Sequence, residues 1–393
     1  MKSFDNTLFH TAIIGGGAAG LFCAGSFNTP KIILEASEHP AQKLHVSGGG
    51  KCNFTNRFVS AHDYLSQNPH FCKRALAAFG SNDFINLLKE ENIPFEERSD
   101  GRLFAQTAQE IVSFLLRRAK IANTRLACGV RVLDILPEDG IFLLHTSTGT
   151  LRAQHVVLAT GGLSYPALGA NPFGWQLARK LDLNVIDPAP ALCGLQFPKE
   201  KRAIFSTLAG NSLPARVRCG KHVFEDQLLF THDGVSGPAV LQISLFWKPG
   251  QEIEIDFLPG QNAAEIFSQH KTKNQLFSSA IGPRLPGKIA KMLLTDINVP
   301  LANASRTQLD AAIRELHHFR FIPAGTAGYT KAEATSGGVD TRELKAATLQ
   351  TRKIPGLYII GELVDVTGRL GGFNLQWAWS SAFAAAQDLA KKF

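Results

Sequence analysis

The first 35 residues of the chain pass from a short apolar run to a cluster of small residues and back to a second short run. Leu8 to Ile14 is mostly apolar, GGGAAG follows at residues 15–20, and small and apolar residues continue through Phe27. The second run, Lys31 to Leu34, ends at Glu35. This pattern predicts a strand, a glycine turn, a helix and a second strand with an acidic residue at its tip.

The spacing within this unit is typical of a dinucleotide-binding turn. Gly15 permits the tight turn, Gly17 lets the backbone approach a pyrophosphate, and Gly20 lets helix and strand pack closely. Glu35 lies 20 positions after Gly15, where its carboxylate can accept hydrogen bonds from both ribose hydroxyls and would repel a 2′-phosphate. The unit therefore predicts FAD or NAD rather than NADP; the alternative is a glycine turn that binds nothing.

Two later strands also end in glycine-rich segments. An alternating strand over 150–160 ends in ATGG, and a strand over 356–362 leads to GRLGGFN at residues 368–374 and a final helix over 375–392. Unsatisfied N–H groups and the positive end of the helix dipole coincide at the start of that helix. We therefore predict that the beginning and the end of the chain close over one bound dinucleotide.

Between these segments the pattern changes twice, to short strands and then to helices. The predicted strands span 192–197, 213–219, 223–229, 252–257, 319–323 and 328–335. The predicted helices span 263–270, 285–294 and 305–316. Capping boxes begin helices at Thr107 and at Ser305. The predicted division is a discontinuous domain of 1–188 and 335–393, a β-rich insert of 189–258 and 319–334, and a helical subdomain of 259–318.

The segment KLHVSGGGKCNFTN at residues 43–56 superficially resembles a P-loop. His45 replaces the first glycine of that motif, and Cys52 stands where a hydroxyl residue would hold magnesium. Hydrolysis of a nucleoside triphosphate by this loop is therefore excluded. A triple-glycine turn between Ser47 and Asn53 can instead bring its backbone close to a flat ring or a phosphate; the alternative is a flexible surface loop.

Composition and charge narrow the class of protein. With 45% hydrophobic and 19% charged residues in 393, the chain is ordinary globular protein. The net charge of +8 suggests nucleic-acid binding, but the basic residues are scattered without interleaved aromatics, which disfavours such binding.

No apolar run reaches the roughly 18 residues of a membrane span, and no signal-like core precedes His10, so a cytoplasmic location is predicted. Six cysteines without a C-x-x-C pair predict no metal site.

Together these motifs resemble the BaiN/RdsA-type flavoproteins, also called the aminoacetone oxidase family of FAD-binding enzymes. The matching segments span nearly the whole chain: GGGAAG at 15–20, KLHVSGGGKCNFTN at 43–56, ATGGLSYPALG at 159–169, LLFTHDGVSGPAVLQIS at 228–244, TSGGVDTREL at 335–344 and YIIGELVDVTGRLGGFNLQWAWSSAFAA at 358–385. The resemblance implies an α/β fold: a Rossmann-like FAD-binding domain of the two-dinucleotide-binding flavoprotein type, with an inserted β-barrel-like domain and a helical subdomain. ALGAN at 167–171 departs from the polar turn expected there.

The motifs and the resemblance together give candidate site residues. The candidate FAD contacts are Gly15, Gly17, Ala18, Ala19, Gly20, Glu35, Ala36, Lys43, Ser47, Gly48, Gly49, Gly50, Asn53, Ala159, Thr160, Gly161, Gly361, Glu362, Asp365, Gly372, Phe373, Asn374 and Gln376. His232 is a candidate acid or base because histidine exchanges protons near neutral pH, the alternative being a histidine that hydrogen-bonds its own turn. Lys51 and Asn53 are candidates for orienting substrate or flavin N5.

The implied activity is that of an FAD-dependent oxidoreductase, which transfers a hydride between flavin N5 and a small organic substrate. The reaction is amine oxidase-like or enone reductase-like, and the residues do not decide between the two. No second GxGxxG occurs, so NAD(P)H would dock only transiently as a reductant. Two other readings stay open: a flavin-dependent RNA-modifying or nucleic-acid-associated protein, prompted by the +8 charge, and a non-catalytic dinucleotide sensor.

Overall fold

A computed structural model describes residues 7–270 and 274–392 of the chain. The predicted lack of a signal-like segment concerns in large part residues 1–6, which lie outside that range. The strands are β1 Leu8–Ile14, β2 Lys31–Leu34, β3 Asn53–Asn56, β4 Tyr64–Leu65, β5 Phe95–Glu97, β6 Arg102–Ala105, β7 Thr124–Ala127, β8 Val132–Glu138, β9 Ile141–Thr146, β10 Gly149–Leu158, β11 Val185–Ala191, β12 Leu195–Gln196, β13 Ser212–Cys219, β14 His222–Phe230, β15 Gly234–Ser236, β16 Ile253–Asp256, β17 Phe319–Phe321, β18 Gly325–Thr326, β19 Ala334–Val339, β20 Leu357–Ile359 and β21 Thr367–Gly368. The helices are α1 Ala18–Ala24, α2 Gln42–Val46, α3 Lys73–Ala78, α4 Ser81–Glu90, α5 Ala108–Ile121, α6 Phe173–Lys180, α7 Lys199–Phe205, α8 Pro238–Ser244, α9 Ala263–His270, α10 Phe277–Ile281, α11 Gly287–Leu293, α12 Arg306–His317 and α13 Phe373–Leu389.

The chain forms two compact units. The first consists of Met1–Ala189 and Ala334–Phe393, and the second of Pro190–Glu333. The first unit is therefore discontinuous in sequence. Within the described residues of both units, no helix combines the length and the apolar character that crossing a membrane requires.

The first unit is built on a sheet in the order β7-β2-β1-β10-β9-β8. Strand β20 pairs with the last residues of β10, Val156 to Leu158. Strands β7, β2, β1, β10 and β20 run parallel, and β9 and β8 continue the sheet antiparallel. Ile13, Ile33 and Val157 are fully buried because helices cover a parallel sheet, which is why its strands are continuous apolar runs. All parallel strands end at one edge, where ligands of such sheets bind.

The C-terminal helix α13 forms the centre of the first unit's helical layer. Its 17 residues span about 25 Å, and twelve of them are buried, which explains its alanine-rich, all-round apolar sequence. Trp379 stacks on Phe84 with ring centroids 4.7 Å apart, and Trp377 is 1% exposed. The tryptophan pair is therefore core packing. The predicted capping box at Thr107, with Glu110 as its partner, begins α5.

The second unit contains a seven-stranded sheet in the order β17-β16-β13-β14-β15-β12-β18. Helices α9 to α12 do not form a core of their own, because their apolar side chains share one cluster with the sheet: Phe267, Phe277, Ile289 and Leu316 from the helices, and Val217, Ile255 and Phe319 from the strands. The predicted capping box at Ser305 begins α12, where the Ser305 side chain accepts the Gln308 N–H.

Two strands predicted in this region are shorter than expected. The run 192–197 is strand only at Leu195–Gln196, because Leu192 adopts a left-handed conformation with φ of 52°. Only the last two residues of the run 328–335 are strand, at the start of β19; the residues before them form a turn, since Gly328 has φ of 78° and its carbonyl accepts the Lys331 N–H. Apolar content alone signals burial and does not distinguish a strand from a buried turn.

Candidate cofactor site

The carboxyl ends of β1, β2 and β10 meet at one edge of the first unit's sheet. Gly15 has φ of 108°, and a Cβ there would collide with the Ala159 carbonyl. A Cβ on Gly20 would collide with the Gly15 carbonyl. These contacts are the tight turn and the close helix packing predicted for the two glycines, and they leave no room for any side chain.

The start of α1 is open where a pyrophosphate is predicted. Gly17 has φ of −82°, so its conformation suits any residue, yet an added Cβ would meet nothing within 4 Å. The helix has no side-chain cap, and its first hydrogen bond runs from the Leu21 N–H to the Gly17 carbonyl. The N–H groups before Leu21 therefore lack helical acceptors and can serve a bound anion.

Glu35 is held in place by backbone contacts at the tip of β2. Its Oε2 accepts the Gly16 N–H and its Oε1 accepts the Ser37 N–H, each at 2.7 Å. Each carboxylate oxygen keeps a further lone pair that can accept a ribose hydroxyl. Glu35 thus braces the glycine turn as well, a role that the sequence reasoning missed. Ala36 follows it as an exposed residue.

The C-terminal segment reaches the same edge. A Cβ on Gly361, just after β20, would lie 3.0 Å from the Ala19 side chain. The Gly361 N–H donates to Ser381 Oγ, and its carbonyl accepts Trp377 Nε1–H, each at 3.0 Å. Both partners belong to α13. The predicted meeting of the N-terminal β1–α1 turn with the C-terminal segment is confirmed, and their closing over one dinucleotide stays a prediction.

Helix α13 begins at this edge after two glycines with positive φ, Gly371 at 120° and Gly372 at 93°. The side chains predicted to face the cofactor here are engaged within the protein. Asn374 exchanges two hydrogen bonds with the Gly368 backbone. The fully buried Gln376 accepts the Thr55 hydroxyl and donates to the Phe79 carbonyl. Phe373 is buried with them, so this end of the helix offers backbone rather than side-chain groups.

Two buried oxygens at this edge have no hydrogen-bond partner within the described part of the chain. One is Asn53 Oδ1, which lies where a Cβ on Gly372 would have to go. The other is Thr160 Oγ1, in the ATGG segment. A buried polar atom without a partner is costly unless a ligand or water satisfies it. Both residues are candidate cofactor contacts, and Gly161 beside Thr160 has open space around it.

The triple-glycine segment forms a left-handed turn after α2. Gly48, Gly49 and Gly50 all have positive φ, between 56° and 86°, which side chains rarely allow. Cβ atoms on Gly49 and Gly50 would meet nothing closer than 3.9 Å. Ser47 directs its hydroxyl at the Leu44 carbonyl, so it closes α2. The glycine backbone of this turn is accessible to a flat ring or a phosphate.

Cys52 follows this turn as a buried thiol. It is fully buried, and burial raises the pKa of the Cys52 thiol to about 12. Reactive cysteines require a lowered pKa and exposure. Cys52 is therefore a packing residue and no redox partner for a cofactor.

Lys43 and Glu362, both candidate cofactor contacts, bind each other. Lys43 Nζ lies 2.9 Å from Glu362 Oε2 and also donates to Ser164 Oγ. The Glu362 carboxylate further accepts the Gly162 N–H at 3.1 Å and the Thr335 N–H at 2.8 Å. Four segments distant in sequence are joined there. The pair braces the backbone after ATGG, which sequence spacing could not reveal.

Asp365 and His232 lie in different surroundings. Asp365 is 5% exposed and accepts the Gln67 N–H at 2.9 Å, and burial raises the pKa of its carboxyl.

His232 is exposed in the β14–β15 turn of the second unit. The Thr231 N–H and the Gly234 carbonyl close that turn at 2.8 Å, and among the described residues the His232 ring has no hydrogen-bond partner. The histidine is therefore not needed to hold its turn.

These residues fit FAD. The groups gathered here are of the kind that a flavin dinucleotide needs: the open helix start, the Glu35 carboxylate with its spare lone pairs, the glycine backbone around 48–50, and the Asn53 and Thr160 oxygens that are unpartnered among the described residues. The fold and this site define the class: the protein is an FAD-dependent oxidoreductase. The chain belongs to the family described as HI0933-like protein Rossmann domain, whose family model matches residues 9–388.

Curated relatives cover nearly the entire chain. It is 41% identical over 393 residues to the ribosomal RNA dihydrouridine synthase of Escherichia coli, covering 97% of this chain and 98% of the relative. It is 40% identical to the protein of the same name from Haemophilus influenzae, with the same coverage. It is 30% identical over 410 residues to the 3-dehydro-bile acid delta(4,6)-reductase of Clostridium scindens, again with 97% and 98% covered.

Solved structures share the fold at low sequence identity. The 3-ketosteroid delta1-dehydrogenase of Sterolibacterium denitrificans matches with a TM-score of 0.52 and 12% identity, covering 99% of this chain and 100% of that one. An open conformation of a flavocytochrome c3 fumarate reductase matches with a TM-score of 0.50 and 14% identity, covering 98% and 78%. These similarities support the predicted Rossmann-like flavoprotein fold, and at such identity they say nothing of the substrate.

Proposed function

We propose that this protein is a flavin-dependent reductase of a carbon–carbon double bond conjugated to a carbonyl, and that the bond is the 5,6 bond of uridine in ribosomal RNA. The observation that carries the proposal is the 41% identity to a ribosomal RNA dihydrouridine synthase over 97% of the chain. Because the match covers both units, it includes the glycine turn, the triple-glycine loop and the start of α13.

The chemistry named for the relatives supports the reaction type. Dihydrouridine differs from uridine by saturation of a double bond conjugated to a carbonyl, and a delta(4,6)-reductase of a 3-oxo steroid acts on the same kind of bond. Reduction adds a hydride to the carbon β to the carbonyl and a proton to the α carbon. FAD, when bound, supplies the two electrons, with a reduced nicotinamide dinucleotide as the reductant class. An amine oxidase reaction lacks such support.

The chain's own residues must position the cofactor and supply the proton. Gly17, Glu35 and the glycine turn at 48–50 are proposed to hold the dinucleotide. The N-terminus of α13 is proposed to stabilise negative charge at the ring, because its first N–H groups and its dipole point the same way. Lys51 Nζ and the His232 ring stay candidate proton donors, both exposed.

The RNA substrate also accounts for the charge. The chain carries a net charge of +8 and has a sequence pI of about 9.2. Basic proteins attract polyanions without sequence preference, and such binding weakens steeply with salt. A neutral small substrate gives no reason for that excess. The sequence alone ranked a small-molecule substrate above RNA, and this proposal reverses that ranking.

Complementation tests the proposal. The chain, or its Gly17→Val variant, is produced in an Escherichia coli strain lacking its ribosomal RNA dihydrouridine synthase, and purified ribosomal RNA is digested to nucleosides for mass spectrometry. We expect dihydrouridine to return with the unchanged chain and not with the variant. Ribosomal RNA that stays without dihydrouridine, although the chain is produced and yellow with flavin, would overturn the RNA substrate.

A second candidate is reduction of a small conjugated ketone, favoured by the 30% identity to the bile acid reductase. Purified flavin-loaded protein is mixed under anaerobic conditions with NADH or NADPH and a 4,6-dien-3-one steroid. Loss of the dienone absorbance without activity on RNA would support this candidate over the first.

A further inference from the structure

We infer that Lys51, Arg98 and Arg102 form a phosphate-binding rim beside the cofactor site, which holds the sugar–phosphate backbone of an RNA substrate. The inference rests on the proposed function, because it names the residues that would make that site specific for a polyanion. None of the three was assigned this role by sequence reasoning; only Lys51 was considered at all, as a residue that orients substrate or flavin.

Arg98 and Arg102 lie on one hairpin turn between β5 and β6. The Arg98 N–H donates to the Arg102 carbonyl at 2.9 Å, and the Gly101 N–H donates to the Arg98 carbonyl at 2.9 Å. The turn is tied to the end of β3 by the Arg57 N–H, which donates to the Gly101 carbonyl at 2.7 Å. Two guanidinium groups are therefore carried on a rigid, backbone-bonded turn.

The turn contacts the cofactor site at two places. The Arg98 guanidinium lies 4.0 Å from the centroid of the Phe104 ring, and that ring lies 3.1 Å from where a Cβ on Gly48 would be. The Arg102 side chain lies 3.4 Å from where a Cβ on Gly371 would be, just before α13 begins. Arg98 and Arg102 thus flank the triple-glycine turn and the start of α13, the two segments proposed to face the flavin ring.

Lys51 completes the rim from the triple-glycine turn itself. It directly follows Gly50, its side chain is exposed, and within the described residues it forms no ion pair. Proteins that hold a single nucleic acid strand do so with positively charged groups that follow its backbone.

The acidic neighbours leave donors available for phosphate. Arg102 Nε pairs with Asp100 at 2.5 Å, and Arg98 lies 3.8 Å from Glu96. Both carboxylates are about half exposed or more, at 48% and 62%, so these surface pairs contribute less than about 1 kcal/mol each. A guanidinium has five N–H donors, and one carboxylate occupies only one or two of them. The carboxylates orient the arginines without neutralising their capacity to bind phosphate.

A base-modifying enzyme needs such contacts at the entrance of its pocket. The target base must leave its stack, and phosphate contacts on either side hold the extruded nucleotide. A bile acid carries no phosphate and a single carboxylate, so it gains far less from three cations than a polyanion does. Phosphate also occurs in FAD and in NAD(P)H, so the test has to separate these three sources.

The test compares an Arg98→Glu/Arg102→Glu double variant with an Arg117→Glu control, and it leaves the candidate proton donor Lys51 in place. Arg117 is an exposed arginine paired with Glu91 at 3.2 Å on the surface of α5, so its replacement costs a similar surface ion pair. The probe is ribosomal RNA from the Escherichia coli strain lacking the dihydrouridine synthase. Affinity is followed over a range of salt concentrations, together with the FAD content and the Michaelis constant for NADPH.

We expect the double variant to bind this RNA about tenfold or more weakly, with a log–log salt slope shallower by about 1 for each cation removed. FAD content and the Michaelis constant for NADPH should match those of the control. If the unchanged chain modifies RNA but the double variant binds that RNA with the same affinity, the rim is refuted and the proposed function stands. Loss of FAD, or a raised Michaelis constant for NADPH at constant RNA affinity, would assign the rim to those dinucleotides and overturn it as well. If the unchanged chain neither binds nor modifies the RNA, the proposed function fails first.

Discussion

The two edges of the first unit's parallel sheet contrast sharply in chemistry. At the carboxyl edge, where β1, β2 and β10 end, the chain is mostly glycine and backbone, with open space at Gly17 and Gly161. Toward the amino edge the same strands carry His10, Lys31 and His155. These side chains lie in a packed titratable group with Tyr358 of β20, Asp388 of α13 and Lys392 just after that helix.

Several large pKa shifts belong to this group at the amino edge. Burial lowers the pKa of His155 to about 4 and that of Lys31 to about 8, and it raises the pKa of Tyr358. Tyr358 donates to Asp388 at 2.7 Å, and Lys31 Nζ donates to the Thr29 and Ala122 carbonyls. A perturbed pKa is a common guide to active sites. Here it marks buried structure, because a flavin site lets the cofactor supply the reactive group.

The largest effect on FAD affinity is expected at the carboxyl edge, from replacing Gly17. Gly17→Val should lower FAD affinity by about 100-fold, since the side chain displaces charge-assisted hydrogen bonds worth roughly 1.5–3 kcal/mol each. Folding should be unaffected, because φ is −82° and nothing lies within 4 Å of the added Cβ. Flavin absorbance on titration with FAD measures the affinity.

The matched control for that variant is Gly287→Val, at the first position of α11, where an added Cβ also meets nothing within 4 Å. It should bind FAD as the unchanged protein does. Equal affinity in both variants would contradict the placement of the pyrophosphate.

At the opposite edge, acid should destabilise the fold through His155. Its folded pKa of about 4 lies below the unfolded value of about 6.5, so the unfolded chain takes up the proton first. The stabilisation is complete above about pH 6.5 and is lost as the pH falls toward 4, with a loss of about 2 kcal/mol between about pH 7 and about pH 5. Urea unfolding between about pH 7 and about pH 5 should show a shallower decline for His155→Leu than for the unchanged chain. His70→Gln, at an exposed ring, serves as the control and should keep the full decline.

Glu35→Ala should reduce FAD affinity by about tenfold, the value of a lost charged hydrogen-bond pair to the ribose. Because Glu35 also accepts the Gly16 and Ser37 N–H groups, a small loss of stability should accompany it. Glu35→Gln keeps one acceptor oxygen and should lie between the two. FAD titration and thermal unfolding of the apoprotein separate the contributions; an unchanged dissociation constant would refute the ribose contact.

The smallest effect is expected for Tyr358→Phe at the amino edge. Losing the hydroxyl that donates to Asp388 should cost about 1 kcal/mol of stability and leave FAD affinity unchanged. Thermal unfolding measures the change, and Tyr329→Phe, a half-buried tyrosine of the second unit, is the control. A loss of flavin in Tyr358→Phe would show that the two edges are coupled, in conflict with the contrast drawn here.

Much of the nucleotide end of the site was predictable, since its elements are local in sequence. The β1–α1–β2 unit and the capping boxes follow from periodicity and from short-range spacing. The engagement of Gln376 within the protein was not predictable, because its partners Thr55 and Phe79 lie about 300 positions away.

The sequence by itself determined that a dinucleotide-binding turn exists, because glycine spacing and the acidic residue at a strand tip act over some 20 neighbouring residues. Only the tertiary structure decided that Lys43 and Glu362 brace one another, that no described residue is a partner of Asn53 Oδ1, and that Arg98 and Arg102 lie beside the glycine turns. The physical reason is that such contacts form between strands and loops brought together by burial of the sheet and of α13, and no local pattern encodes which distant side chain arrives opposite.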